Sequence, residues 1–404
     1  MKKSYFDSFD RKNSYNFKTI CYLQFMQGVF MIILGSLLPY IREAYGISYS
    51  QSGFLVSCQT AGNLIGAVIA SVLPLFLGTK HSILLLNGGL FVAFALMLLY
   101  GNPIYLIVLF LIMGIGRGAV MNYNNGETNK LPGESSVNLN FMHAFFAIGA
   151  LISPLLVWAF TGTMGGESGW RIAGVCVVVL GGVSVFMTTK TSFSDDTAAQ
   201  RTKEKKEAGD YRFFKSRLFW FSTLIVMMYM ATEASVMGWL TTFFLDSGVV
   251  GESYVQLLTS MLWAAFLIGR IACVGLSKRF RSEKLVTYLT ICTLAFLILM
   301  VLSHNPVGMI LGAFGTGLGM SGVYATGFAG ISEICKKFTF AVSAFMVITS
   351  IGSIVVPSVI GKVAEAVDTR TSMAILIGIT GVQLVVTVLN VVYRRKIGGK
   401  EMDV

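Results

Sequence analysis

Twelve long apolar stretches restrict the fold of this chain more than any other feature of its sequence. Crossing roughly 30 Å of bilayer hydrocarbon takes about 20 residues of α-helix, and a backbone in lipid has to satisfy its own hydrogen bonds. The stretches therefore predict an all-α membrane protein with twelve transmembrane helices. They fall near residues 19–42, 51–77, 82–100, 103–126, 137–160, 170–189, 218–245, 254–276, 285–303, 306–330, 338–364 and 372–393.

The composition excludes a soluble fold and gives no support to an enzyme. Hydrophobic residues make up 54% of the 404 residues and charged residues only 13%, whereas soluble proteins carry roughly 25% charged residues. The six cysteines are scattered and the three histidines lack ligand spacing, so neither a metal site nor another cofactor is predicted. We find no nucleophile–base arrangement, and without a G-x-x-x-x-G-K-[S/T] loop ATP is not expected to drive the protein directly.

Positive charge is distributed unevenly between the two sides of the predicted bundle. If both termini lie on one side, the termini and loops of that side carry all but six of the 31 lysine and arginine residues. Because basic loops stay cytoplasmic, both termini are predicted to lie on the cytoplasmic side of a cell membrane, most simply the bacterial cytoplasmic membrane. The same asymmetry accounts for the net charge of +11, so nucleic acid is not a predicted partner. The six exceptions are Arg42, Arg117, Arg171, Arg270, Lys362 and Arg370.

One polar stretch divides the chain into two halves of six spans each. Its basic residues Lys203, Lys205 and Lys206 indicate a linker lying against anionic membrane lipid, and a regulatory or partner-binding segment is the alternative. The predicted organisation is a cytoplasmic N-terminus (1–18), an N-terminal six-helix bundle (19–189), a cytoplasmic linker (190–217), a C-terminal six-helix bundle (218–393) and a cytoplasmic tail (394–404).

The two halves repeat each other in sequence. Leu64-Ile65-Gly66 recurs 203 residues later as Leu267-Ile268-Gly269, and Ile148-Gly149 recurs at the same spacing as Ile351-Gly352. A repeat of six spans in one orientation indicates two bundles related by an axis along the membrane normal. Transporters of that architecture hold their solute near the bilayer midplane and expose it alternately to each side.

Glycines and prolines inside the spans extend the repeat. A glycine ladder on the fourth span recurs 201 residues later on the tenth, and at that spacing Arg117 lies opposite Leu318. At the spacing of 203 residues, Arg270 lies opposite Ala67. Small residues allow helices to approach closely, and a proline within a span needs neighbouring helices to cover its broken hydrogen bond. The residues predicted to serve helix packing are Gly114, Gly118, Gly315, Gly319, Pro154 and Pro357.

The stretch beginning at Gly114 reads GIGRGAVMNYNNGETNKLPGESSVNLNFMHAFFAIGALISPLL. With Asn124 on the fourth span, then Leu139-Asn140 and His143-Ala144-Phe145 on the fifth, the chain resembles the major facilitator superfamily, and within it the fucose permease-like branch of fucose–galactose–glucose symporters. The resemblance covers essentially the whole chain. It implies a monomer whose two bundles rock about a central cavity lined by the first, fourth, seventh and tenth helices.

The chain departs from this branch at two places that matter for coupling. The branch's sugar–proton symporters have carboxylates on the first and fourth helices, where this chain has Gln24 and Gln27 on the first and Ala119-Val120 on the fourth. The resemblance therefore does not extend to proton coupling by the N-terminal half.

Two ionisable residues lie well inside spans, where a charge is costly and marks function. Arg117 shares one face of the fourth helix with Met121, Asn124 and Thr128, a polar stripe at helical spacing. Our hypothesis is that Arg117 and Glu233 face the cavity, where they either pair in one state or separate to engage solute and proton. A guanidinium can bind a carboxylate or phosphate through two donors, which is compatible with an anionic solute. A fixed structural ion pair, or an arginine directed at backbone carbonyls, is the alternative.

Further polar residues in the spans complete the candidate site. Amides suit the hydroxyls of a sugar and aromatic rings suit its apolar face, although His143 and the aromatic residues could equally serve helix packing. Three basic residues at the end of the eighth span are predicted to serve gating or inter-bundle contacts, namely Arg270, Lys278 and Arg279. The predicted solute or coupling residues are Gln24, Gln27, Asn63, Arg117, Asn124, Asn125, Asn140, His143, Glu233 and Tyr324.

These features predict a secondary active transporter that moves a small polar solute, a sugar or related metabolite, by alternating access. We expect symport with an ion, either a proton or sodium. The alternative is a proton-coupled exporter of drugs or metabolites, which the 20 methionines would suit as adaptable cavity walls. A non-transporting receptor on the same scaffold would need a soluble domain or a long tail.

Overall fold

The computed structural model describes residues 10–132, 135–193, 211–277 and 279–398. Almost all of them are helical. The helices are α1 (Arg11–Tyr45), α2 (Tyr49–Val72), α3 (Pro74–Leu99), α4 (Pro103–Asn129), α5 (Ser135–Met164), α6 (Gly166–Thr189), α7 (Arg217–Ser247), α8 (Glu252–Leu276), α9 (Ser282–Leu302), α10 (Pro306–Met320), α11 (Val323–Ala329), α12 (Ser332–Lys337), α13 (Thr339–Ala366) and α14 (Thr369–Lys396), with a 3-10 helix at Arg212–Lys215 before α7.

Twelve spans in the described part of the chain are long and apolar enough to cross a membrane, α10 and α11 together forming the tenth at Pro306–Ala329. The predicted number of spans is confirmed. Large apolar side chains such as Phe76, Leu99 and Ile104 are exposed on the outer faces of the helices, as expected where lipid takes the place of water.

Several helix ends differ from the predicted boundaries because hydropathy does not register polar helical residues. The first helix begins at Arg11, within the segment predicted as a polar N-terminus. Asp10 caps this helix, because its carboxylate accepts a hydrogen bond from the backbone N–H of Asn13 at 2.7 Å. The last helix continues to Lys396, into the predicted tail. Most of the predicted linker 190–217 lies outside the described residues.

The second span ends earlier than predicted, at Val72 rather than at residue 77. Pro74 occupies the first turn of α3, where its missing N–H costs nothing. Gly78 then interrupts that helix with φ 74° and ψ 159°, a backbone conformation that essentially only glycine adopts. The sharp link between the second and third spans therefore depends on this proline and this glycine.

The chain forms two compact units, and α2 is divided between them. Among the described residues, unit 1 contains 10–47 and 58–193, and unit 2 contains 48–57 and 211–398. The first residues of α2 are held within unit 2, where Ser48 and Ser50 both donate hydrogen bonds to the Glu365 carboxylate at 2.7 and 2.8 Å.

The internal packing of the two units follows the same plan. In unit 1, α1 packs on α5 and α6, and α3 packs on α4 and α6. In unit 2, α7 packs on α13 and α14, and α9 packs on α10 and α14. The sequence repeat is therefore also a repeat of helix contacts.

Glycines bring the backbones of α2 and α4 into direct contact. A Cβ at Gly114 or Gly118 of α4 would overlap the carbonyl oxygen of Gln59 or Asn63 in α2. The contact is reciprocal, since a Cβ at Gly66 of α2 would overlap the carbonyl oxygen of Ile115 in α4. Such mutual small-residue packing is how helices associate tightly in lipid.

The glycine contacts set a different register for the fourth and tenth spans from the one the ladder suggests. Gly114 faces α2, yet Gly315 faces Phe296 of α9; it is Gly317 that faces α8, through the carbonyl of Leu262. The equivalent of Gly114 is thus Gly317, at the spacing of 203 residues that the other matches show. The proposed pairing of Arg117 with Leu318 is wrong, and Arg117 corresponds to Met320.

Helix starts support this corrected register. Asn102 caps α4 and Pro103 takes its first turn, while Asn305 and Pro306 do the same for α10, again 203 residues later. The ladder misled because glycines at every second position match equally well after a shift of two residues.

The close contact of α2 with α4 can be tested with a matched pair of alanine substitutions on one helix. Gly118→Ala places a methyl group against the Asn63 carbonyl and should destabilise the protein by about 1–3 kcal/mol, seen as a lower apparent melting temperature in detergent. Gly126→Ala is the control, because nothing lies within 4 Å of a Cβ there, and alanine is the better helix former. Equal melting temperatures for the two variants would contradict the contact.

Candidate functional site

A chain of hydrogen bonds inside unit 1 links α1, α4 and α5, and we call its residues the amide cluster: Gln24, Met121, Asn124 and His143. The Asn124 amide donates to Gln24 Oε1 at 2.9 Å. Gln24 Nε2 in turn lies 3.1 Å from the Met121 sulfur, to which it donates, and 3.4 Å from His143 Nδ1. Gln24 and Asn124 are buried, so these hydrogen bonds replace the ones that their amides would make to water.

Two glycine contacts fix where this cluster lies along α1 and α5. Gly28 and Gly149 bring α1 and α5 together, each backed by a backbone carbonyl of the other helix, Phe146 and Phe25 respectively. His143 and Gln24 therefore face each other across the α1–α5 contact, about one turn from it. The acceptor atoms Gln27 Oε1 and Asn124 Oδ1 are buried with no hydrogen-bond partner among the described residues, which leaves acceptors for a solute hydroxyl.

Arg117 lies at the contact between α4 and α2. Its guanidinium donates to Asn63 Oδ1 at 3.4 Å, and the side chain is half-buried. Arg117 and Glu233 belong to different units, and their predicted relation stays a prediction. Asn125 is half-buried on α4, while the side chain of Asn140 on α5 and all of Lys278 fall outside the described residues.

A second constellation lies inside unit 2, and we call its residues the glutamate cluster: Tyr229, Glu233, Arg270 and Tyr324. The buried Tyr229 hydroxyl donates to Glu233 Oε1 at 2.8 Å, one helical turn along α7. The charges of Glu233 and Arg270 and the hydroxyl of Tyr324 all act on Tyr229. A carboxylate, a guanidinium and two phenols thus share one neighbourhood, and these groups can bind hydroxyls and exchange a proton.

A break in the tenth span brings Tyr324 into this cluster. Helix α10 ends at Met320, Ser321 and Gly322 form a turn, and α11 resumes at Val323. The Ser321 hydroxyl donates a hydrogen bond to the Leu318 carbonyl at 2.7 Å. Discontinuous helices of this kind commonly build solute sites in transporters, because irregular backbone is tolerated only where protein or a cavity surrounds it.

Arg270 lies near the end of α8, where the sequence places it. It is exposed, its guanidinium lies 4.8 Å from the centre of the Phe266 ring, and its charge reaches Tyr229. A gating role stays a prediction, as it does for the exposed Arg279. Because its charge acts on Tyr229, Arg270 is also counted in the glutamate cluster, an association that depends on how α8 packs beside α7 and that the sequence does not give.

Two buried tryptophans in unit 2 are further candidates for solute binding. The indole N–H groups of Trp239 and Trp263 are buried and have no hydrogen-bond partner in the described part of the chain. The Trp239 ring stacks on Tyr49 at 6.2 Å, and the Trp263 ring packs on Phe266 at 5.2 Å. Buried indoles normally satisfy their N–H, so each offers a donor to a polar ligand.

No group of three or more histidine, cysteine, aspartate or glutamate residues lies together within the described ranges. The polar groups inside the spans are instead amides, phenols, a carboxylate, guanidiniums and indoles. Groups of these kinds are chemically able to bind a small polar molecule and to hold or release a proton. The fold and these groups define a polytopic helical membrane protein with polar sites enclosed by its spans.

Comparison with known proteins identifies the family. The sequence pattern of the Major Facilitator Superfamily matches residues 20–307. The chain is 23% identical to the glucose/mannose transporter GlcP of Bacillus subtilis over 83% of its length and 85% of that protein. It is also 23% identical to the L-fucose-proton symporter of Escherichia coli over 87% of both chains. A bacterial homologue of the human lysosomal transporter Spinster superposes with a TM-score of 0.77 at 13% identity, covering 94% of this chain and 97% of that one.

The chain belongs to the Major Facilitator Superfamily. It is a multi-pass secondary transporter of small molecules and not an enzyme, and the resemblance to the fucose permease-like branch is confirmed by the relatives.

The amide cluster can be tested by removing one partner. Asn124→Ala leaves Gln24 Oε1 buried without its donor and should cost about 1–3 kcal/mol of stability, together with lower solute affinity. Asn122→Ala is the matched control, because the exposed Asn122 bonds, among the described residues, to the Gly118 carbonyl of its own helix alone. Thermal unfolding in detergent measures the difference, and comparable losses in both variants would exclude the predicted role of the cluster.

Proposed function

We propose that this protein imports a sugar or a related small polar metabolite by ion-coupled symport. The observation that carries the proposal is the different chemistry of the two clusters. Unit 1 presents neutral amides and unit 2 presents a carboxylate beside phenols. Neutral amides recognise hydroxyls, and the carboxylate can carry a proton.

The buried polar groups of the two units support a sugar over an apolar solute. A sugar offers many hydroxyls, each able to donate and accept, and an apolar ring face that stacks on aromatic side chains. Buried acceptors on Gln27 and Asn124 and buried donors on Trp239 and Trp263 match this pattern. Glucose, mannose and fucose, the sugars in the names of the two relatives, are the solutes to try first.

The coupling ion we propose is the proton, carried by Glu233. The amide cluster contains no carboxylate, and Glu127, the acidic residue near the end of α4, is paired with Lys130 at 2.8 Å. Glu233 is half-buried, and Tyr229 donates a hydrogen bond to its carboxylate. Arg270, whose charge acts on Tyr229, supplies the positive charge of the same cluster.

Orientation and cycle follow from the same proposal. With both termini cytoplasmic, as the positive-inside rule favours, the solute enters from outside the bacterial cytoplasmic membrane. Arg117, held by Asn63, engages a solute oxygen or the Glu233 carboxylate in one state of an alternating-access cycle. An anionic solute would be recognised through the same guanidinium.

The proposal is tested by transport in proteoliposomes with labelled glucose, mannose and fucose. In the wild type, an inward pH gradient should drive accumulation of at least one sugar. Glu233→Gln keeps the hydrogen bond from Tyr229 but cannot release a proton, so accumulation should fall to the level of protein-free liposomes while exchange of labelled for unlabelled sugar continues. Exchange isolates solute movement from coupling.

Glu167→Gln provides the matched control, because Glu167 lies in the first turn of α6 and belongs to neither cluster. It should accumulate sugar as the wild type does. Proton-driven accumulation by the Glu233→Gln variant at the wild-type level would refute proton coupling by this residue. Extrusion of lipophilic cations without any sugar uptake would instead support the proton-coupled exporter.

A further inference from the structure

A cavity of about 600 Å³ lies in unit 1, apart from both clusters, where α1 begins and α6 ends. Among the described residues, its lining carries four basic residues, Arg11, Lys12, Lys18 and Lys190, and no carboxylate. Its volume falls within the range of about 300–1,000 Å³ that is typical of small-molecule sites. No step of the proposed transport cycle uses these residues.

Hydrogen bonds between the two chain segments hold the walls of this cavity together. The Asn16 amide donates to the Ser192 carbonyl at 3.1 Å, and the Ser192 amide donates back to Asn16 Oδ1 at 3.1 Å. The Tyr15 hydroxyl also donates to the Met187 carbonyl at 3.2 Å. The first turns of α1 are therefore fastened to the end of α6, and the basic residues project from a preformed frame.

The charges within this frame favour an anion. The nearest acidic group along α1, the Asp10 carboxylate, caps the helix through the Asn13 amide. The Lys190 ammonium lies 4.4 Å from the centre of the Phe186 ring, which orients it by a cation–π contact. Like charges gathered around one cavity repel each other, and an anion with several oxygens removes that repulsion by accepting from more than one cation.

We propose that this cavity is a binding site for a phosphate-bearing anion. Phosphate offers several acceptor oxygens to lysine and arginine donors, and the cavity has room for the organic group attached to it. The source is either the head group of an anionic phospholipid or a soluble phosphorylated metabolite. Occupancy joins α1, which carries Gln24, more firmly to α6 and so stabilises unit 1.

The site is tested on the purified full-length protein by thermal unfolding at constant ionic strength. Phosphatidylglycerol in mixed micelles is titrated against phosphatidylcholine, and glucose 6-phosphate is titrated separately against sodium sulfate. Each basic residue near an anionic surface contributes enough that its loss lowers affinity about fivefold. The triple variant Arg11→Gln/Lys12→Gln/Lys190→Gln should therefore bind roughly a hundredfold more weakly.

Two further variants separate a specific site from loss of charge or of fold. Lys284→Gln/Arg395→Gln/Lys396→Gln removes three exposed cations from unit 2 and should keep the full thermal shift. Arg11→Lys/Lys12→Arg/Lys190→Arg keeps the charge of the cavity and should also keep the shift. A shift with phosphatidylglycerol alone assigns the site to a lipid, and one with glucose 6-phosphate alone assigns it to a soluble metabolite. Equal losses in both glutamine variants, or no shift with either probe, would overturn the proposal.

Discussion

Helices in lipid gain nothing from hiding apolar side chains, so contact between their backbones has to hold a bundle such as this one together. Glycine supplies it: Gly66 and Gly118 lock α2 to α4, and Gly28 and Gly149 lock α1 to α5. The polar residues lie beside these locks. Asn63, whose own carbonyl faces Gly118, accepts from Arg117. Because two helix backbones in direct contact cannot move closer or slide easily, the glycines fix the positions of the polar side chains on the helices that they join.

The same scaffold is built twice but carries different chemistry in each copy. At the corrected register of 203 residues, Met121 corresponds to Tyr324. Met121 accepts from Gln24 in the amide cluster, whereas Tyr324 neighbours Glu233 in the glutamate cluster. Equivalent positions therefore contribute to the polar site in each unit, one with a neutral sulfur and the other with a phenol. Duplication provides the geometry, and substitution at a few positions gives each unit different polar groups.

Much of the fold follows from the sequence, and less of the site does. Twelve spans, the repeat and the family are readable because apolar length and recurring motifs are local properties of the chain. The intramembrane residues Arg117 and Glu233 are readable because a charge in a span is conspicuous. Partners are not readable in this way. Joining Gln24 to Asn124, or bringing the charge of Arg270 to act on Tyr229, requires two different helices to be packed side by side.

The basic cavity shows the same difference between what the sequence predicts and what needs the packed structure. The sequence by itself determined that Arg11, Lys12, Lys18 and Lys190 are basic and lie near ends of spans, because charge and hydropathy belong to each residue alone. Only the tertiary structure decided that they surround one cavity, because the Asn16–Ser192 pair brings the start of α1 to the end of α6. Likewise the glycine ladder was visible from the start, but its register needed the packed helices, since only the facing carbonyls distinguish one glycine from the next.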